Sequence, residues 1–305
     1  MFALTTAWNI TATSDITQSL QQIKELGFDS IEAGYNLAEP QLDQVVAGCE
    51  KYHLDIVSVH NFCPLPPPPT HTRHYCDYYR LSSLDNEERA AAVRSTKKTI
   101  DTAKRMKSPP VIIHAGMVEI DHRQVKQLLR LYRHRVSQHD EYDRLKKVIL
   151  EERAKICKRY LDTFRVSLKE ILDYAAANSI TIALENRYYP QEIPSLDEFV
   201  ELFDEFAQSP LKYWHDTGHA VVSGRIGIVE PEEYLRRFSS RLAGMHLHDV
   251  KGIDDHWAPF SQEVDFSQWE PYFKDNTLPK IIESHPQATA DEVRFALKKL
   301  REMER

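Results

Sequence analysis

Ser30-Ile-Glu-Ala-Gly-Tyr35, a helical stretch from about Glu39 to Tyr52, and Leu54-Asp-Ile-Val-Ser-Val-His60 together set the architecture. Two short apolar strands flank one helix, and a strand–helix–strand rhythm implies parallel strands joined by right-handed crossovers. The pattern extends in both directions. Upstream, Ile16, Leu20, Ile23 and Leu26 fall at helical spacing, with Gly27 as the stop. Along the whole chain eight candidate strands emerge: Ala3–Ala7, Ser30–Tyr35, Asp55–His60, Pro110–His114, Ile180–Glu185, Leu211–Asp216, Leu242–His248 and Lys280–Glu283. Eight parallel strands in 305 residues favour one (β/α)8 barrel domain spanning 1–305. The competing open doubly wound sheet usually carries a glycine-rich phosphate loop after its first strand. Here that position reads Trp8-Asn-Ile-Thr-Ala-Thr-Ser, without glycine, and none of the nine glycines forms such a loop.

Two segments depart from the rhythm. After the third strand, Cys63-Pro-Leu-Pro-Pro-Pro-Pro-Thr70 opens a long loop reaching about Asp85. Its stiff polyproline stretch and its His71, Arg73, His74, Tyr75, Tyr78, Tyr79 and Arg80 suggest a lid or wall over the barrel mouth. After the fourth strand, Met117 to Tyr189 runs 73 residues without Gly or Pro, more helix than one barrel unit needs. We expect an inserted helix near Asp121–His134 and a long charged helix from about Glu141 to Ala177. Its charged surface suits solvent or a homodimer contact.

Composition narrows the function classes. With 39 Lys+Arg against 46 Asp+Glu, the formal charge is −7, which argues against a nucleic-acid partner. No apolar run approaches the ~20 residues of a membrane helix, and the N-terminal stretch lacks signal-peptide character. Four scattered cysteines form no CxxC pair, so a reducing cytoplasm is the expected location.

The strand ends carry the chemistry. In a (β/α)8 barrel they surround one mouth. Here they supply His60, His114, Glu185 within Leu-Glu-Asn-Arg, Asp216 and His219 within Asp-Thr-Gly-His, His246 and His248 within His-Leu-His-Asp, and Glu283. Buried acids at this density repel one another unless a cation lies among them, and imidazole with carboxylate suits Zn, Mn, Co, Fe or Mg. His246 and His248, two apart, share one face of a strand. Asp254-Asp-His256 forms a further D-x-H element. Trp8, Tyr35, Trp214 and Trp257 are candidates to line a pocket or fill the core, and Arg187 and Lys251 to meet an anionic group.

These motifs resemble the xylose isomerase-like TIM barrel superfamily of sugar phosphate isomerases and epimerases, which also contains endonuclease IV. The resemblance runs strand by strand over essentially the whole chain. Its most specific parts are Glu185 in LENR, Asp216-Thr-Gly-His219, His246-Leu-His-Asp249 and Glu283. It implies one divalent metal (Zn, Mn, Co or Mg) held by Glu185, Asp216, His246 and Glu283, with His219 on the substrate. It also implies proton exchange between substrate carbon and the carboxylates of Glu185 and Glu283. The endonuclease IV likeness extends the ligand set to His60, His114, His219, Asp254 and His256, and implies two or three ions. Two activities are therefore expected in order: a sugar or sugar-phosphate isomerase/epimerase, then a multinuclear phosphodiesterase. The metal-binding positions that separate them are His60, His114, Asp254 and His256. A scaffold without catalysis would predict an incomplete ligand set.

Overall fold

The computed structural model describes residues 1–11, 13–69, 77–107, 110–134 and 140–305. Eight parallel strands close into a barrel: β1 (Phe2–Thr5), β2 (Ser30–Ala33), β3 (Asp55–His60), β4 (Pro110–Ile113), β5 (Thr181–Glu185), β6 (Leu211–Asp216), β7 (Leu242–Leu247) and β8 (Lys280–Ile282). Each pairs with its sequence neighbour, and β1 pairs with β8 to close the ring. All eight sequence-predicted strands are present, with ends that differ by no more than two residues, the first strand starting at Phe2 instead of Ala3. The helices are α1 (Ile16–Glu25), α2 (Glu39–Tyr52), α3 (Asn86–Arg105), α4 (His122–Arg133), α5 (Asp140–Ala177), α6 (Leu196–Glu205), α7 (Thr217–Arg225), α8 (Pro231–Phe238), α9 (Glu270–Phe273) and α10 (Ala290–Met303).

Local chemistry sets the helix starts. Asp15, Asp85, Asp121 and Asp216 cap α1, α3, α4 and α7 by accepting a backbone N–H of the first turn. Ser195 and Thr289 form capping boxes with Glu198 and Glu292 at α6 and α10. The insertion after β4 is α4 followed by the 38-residue α5, as the glycine-free stretch predicts. Leu161, Phe164, Leu168, Ile171 and Leu172 bury the inner face of α5, while its charged residues lie mostly outward.

The barrel interior is plugged by Ala3, Ile112, Ala183, Trp214 and Ile281. The fully buried Trp214 fits because its register partner on β7 is Gly244, where a Cβ would come within 2.1 Å of the indole. Trp214 therefore floors the mouth as packing, 5.1 Å edge-on beneath the His246 ring. Trp8 is likewise a core residue, its indole N–H donating to Ala288 O at 2.8 Å. Above this plug the strand ends are polar. No helix among the described residues is long and apolar enough to cross a membrane.

Candidate metal centre

At the C-terminal strand ends lies a pocket of about 350 Å³, lined by Tyr35, His60, Asp77, His114, Glu185, Arg187, Tyr188, His219, Asp255, His256, Glu283 and His285. A larger cleft of about 930 Å³ opens at the opposite end, but among the described residues it gathers no metal-ligating cluster.

Register builds the floor. Asp216 on β6 is the partner of His246 on β7. Asp216 also caps α7, its Oδ1 accepting from His219 N–H at 2.6 Å, so the Asp-Thr-Gly-His turn presents both functional side chains to one side. Asn186, following Glu185, staples β5 to β6: its Oδ1 accepts from Asp216 N–H at 2.8 Å and its Nδ2 donates to Asp216 O at 3.0 Å. Donor atoms of Glu185, Asp216, His246 and Glu283 all lie within 4.8 Å of one another, and all four side chains are buried. His246 Nδ1 faces Glu185 Oε1 at 2.7 Å, Glu283 Oε2 at 3.1 Å and Asp216 Oδ2 at 3.8 Å.

Two further groups meet the same distance criterion: His60 with Glu185 and His246, and His219 with His248 and His256. His60 donates from Nδ1 to Asn61 O at 2.9 Å, which leaves Nε2 as a bare acceptor 3.7 Å from Glu185 Oε2. His114 Nε2 lies 2.6 Å from Glu185 Oε2, and its Nδ1 lies 3.5 Å from Asp77 on the proline-rich loop. The end of that loop thus walls the mouth; His71, Arg73, His74 and Tyr75 lie outside the described residues. His219 donates from Nδ1 to Asn186 O at 3.0 Å and turns Nε2 toward Asp255 Oδ2, 3.9 Å away.

Asp254 requires a correction. The D-x-H spacing expects it beside His256, but it is exposed and pairs with Arg133 at 2.8 Å. His256 adopts a left-handed backbone, φ 61°, which breaks the two-residue alternation of the strand Asp254–Trp257, paired antiparallel with Asp249–Lys251. Asp255 faces the pocket instead. Lys251 is exposed, whereas Arg187 reaches the pocket, its Nε held by Glu192 at 2.9 Å.

Electrostatics divides the two glutamates. Burial pushes Glu185 up, but the His246 charge and hydrogen bonds from His114 and His246 outweigh it and hold the carboxyl well below its ordinary range. Burial, together with the charges of Glu185 and Asp216, raises Glu283 well above its ordinary range despite His246. Burial drives His219 down to about 3, so its imidazole is neutral. The donor set fits a cation on a structural test as well. Buried Glu283 Oε2, Glu32 Oε1, Asp255 Oδ2 and His256 Nδ1 have no hydrogen-bond partner among the described residues, a concentration of unsatisfied donor atoms that a bound ion and substrate would relieve.

Sequence reasoning missed Glu32, Asp77, Asp255 and Tyr188. Glu32 had a signal: a lone acid inside the buried strand Ser30-Ile-Glu-Ala. Asp77 and Asp255 had none, because loop geometry alone brings them in.

A closed barrel with a buried imidazole–carboxylate cluster at its C-terminal mouth defines the class. Residues 20–302 match the family described as the xylose isomerase-like TIM barrel, and the chain belongs to it. Among solved structures, the 3-keto-D-glucoside 4-epimerase of E. coli superposes with a TM-score of 0.69 over 99% of this chain and 98% of that one, at 13% identity. A D-tagatose 3-epimerase-like protein gives 0.69 over 99% and 97%, at 18% identity. D-psicose 3-epimerase from Clostridium cellulolyticum H10 gives 0.68 over 99% of both chains, at 13% identity. At these identities the likeness shows the fold alone. No curated protein matches the sequence.

Proposed function

We propose that this protein is a divalent-metal-dependent sugar or sugar-phosphate isomerase or epimerase. The observation that carries the reading is the four-donor cluster of Glu185, Asp216, His246 and Glu283 at a pocket of about 350 Å³, a volume typical of small-molecule sites. The epimerase names of proteins sharing the fold support the substrate class.

Glu185, Asp216, His246 and Glu283 would hold a divalent cation (one Mn, Co, Mg or Zn per chain), which would supply the positive charge that polarises a sugar carbonyl and acidifies the adjacent C–H. Glu185, kept ionised, takes the proton from that carbon. Glu283, the carboxyl that its neighbours raise, would carry the proton returned to the opposite face, giving an epimer, or to the neighbouring carbon, giving an isomer. Environments that split two carboxyls in this way assign base and acid. Neutral His219 offers Nε2 as an acceptor for a sugar hydroxyl. Tyr35 and Tyr188 form walls, and Tyr188 lies 4.5 Å from the His219 ring.

The test starts with metal content of protein purified without chelator, followed by ketose and aldose panels in deuterated water. We expect about one ion per chain and deuterium entering the carbon beside the carbonyl. Glu185→Gln and Glu283→Gln should each slow that exchange by about 10²-fold or more. The second reading, a multinuclear phosphodiesterase, is favoured by the His60–Glu185–His246 and His219–His248–His256 groups. It predicts two or three ions per chain and cleavage of a phosphodiester without carbon-bound exchange. The outward turn of Asp254 removes one position from its ligand set.

A further inference from the structure

We infer that Glu32 is a positioning residue that selects which nitrogen of His246 meets the cation. The inference rests on the metal-site reading above and concerns a residue outside the expected ligand set. Glu32 and Ser58 are register partners on β2 and β3. Ser58 Oγ donates to Glu32 Oε2 at 2.8 Å, and the same oxygen lies 3.0 Å from His246 Nε2. Glu32 and Ser58 are both fully buried. The opposite edge of the imidazole, Nδ1, faces Glu185, Glu283 and Asp216.

The chemistry follows from imidazole itself. A ring that ligates a cation is neutral, with one N–H and one lone pair, and the hydrogen bond made by one nitrogen determines what the other can do. A carboxylate on Nε2 takes the N–H there and leaves the Nδ1 lone pair toward the donor cluster. It also makes the ring a stronger base, as carboxylates behind ligating imidazoles do. Without Glu32, Glu185 Oε1, 2.7 Å from Nδ1, would compete for the N–H and turn the ring into a donor where a ligand is needed. A purely structural glutamate would satisfy both oxygens, yet Glu32 Oε1 has no partner among the described residues. Both contacts that Glu32 does make, to Ser58 and to His246, run through Oε2.

The experiment is calorimetric titration of chelator-stripped protein with Mn²⁺ and with Zn²⁺, in wild type, Glu32→Ala, Glu32→Gln and Ser58→Ala. We expect wild type to take up the ion and Glu32→Ala to bind about 10–100-fold more weakly. Glu32→Gln keeps an oxygen acceptor and should lose less, and Ser58→Ala, which frees Glu32, should lose in the same direction by a smaller factor. Nitrogen-15 spectra should place the His246 proton on Nε2 in loaded wild type. If wild type binds and all three variants bind equally well, the inference is overturned while the metal site stands. If wild type takes up no ion, the site and the inference both fall. Should Glu32→Ala not fold, Glu32→Gln and Ser58→Ala decide by the same comparison.

Discussion

Gly218 and His248 share one volume: a Cβ on Gly218 would lie 2.0 Å from the imidazole. His248 Nδ1 lies 3.0 Å from the His256 backbone nitrogen and its Nε2 2.9 Å from Asp216 Oδ1. The glycine of Asp-Thr-Gly-His therefore allows the ring that orients Asp216. Gly218→Ala should force the ring or the start of α7 to move, at a cost of about 1–3 kcal/mol for overpacking. Urea unfolding of metal-free protein measures that loss, and Mn²⁺ titration should show weaker binding through the disturbed Asp216. Full retention of both stability and affinity would contradict this account.

At the scale of elements, the insertion is tied to the site through buried charge. Arg153 on α5 donates to Glu198 Oε1 at 2.8 Å and Oε2 at 2.7 Å, and to Glu192 O at 3.0 Å. Glu198 is also the third residue of α6, where it accepts from Ser195 N–H at 2.7 Å. The Glu192 carboxylate holds Arg187 and accepts Tyr189 N–H at 2.8 Å, positioning the wall of the pocket. Removing one partner of a buried, bidentate pair leaves the other charge uncompensated, so Arg153→Ala should destabilise by about 3–5 kcal/mol. Arg153→Lys should recover little, because one ammonium cannot reproduce the fork. Chemical denaturation checks both; a loss below about 1 kcal/mol for the alanine variant would show that the pair is not the link.

For the molecule as a whole, the crowding of titratable groups fixes its response to pH. Burial lowers His60, His215, His219 and His256, and takes His215 and His219 to about 3. Unfolding returns each toward the ordinary value near 6.5, so between about 3 and 6.5 the unfolded chain binds more protons. Stability therefore rises with pH across that window, by up to about 1.4 kcal/mol per unit for each group. His246, raised by Glu283, Glu32 and Glu185 against the effect of burial, and His248, raised to about 9 chiefly by Asp216, are protonated in both states over most of that window and oppose the rise only as pH nears 6.5. Glu283 and Asp255, raised chiefly by burial, oppose the trend above about pH 4, but they are two against four. The urea midpoint of metal-free protein should climb from pH 4.5 to 6.5; a flat or falling midpoint would refute the assignment. Chelation should lower the melting temperature and added Mn²⁺ restore it, since an ion that binds only the folded cluster stabilises by mass action.

Much of this protein was legible in its sequence. Strand–helix alternation with period-specific apolar spacing specifies a closed parallel barrel, because each strand must bury both faces and each crossover must return on the same hand. Strand ends then have only one mouth to face, so His60, His114, Glu185, Asp216, His219, His246 and Glu283 could be assembled from their places in the pattern. Other features depended on three dimensions. Glu32 sits in mid-strand, and only the β2–β3 register and the closure of the barrel bring it behind His246. Asp254 and Asp255 exchange roles because one left-handed residue, His256, reverses the alternation that spacing assumes. The division of Glu185 from Glu283, one carboxyl lowered and the other raised, likewise arose in the fold: identical side chains diverge only when burial and neighbouring charges act on each differently.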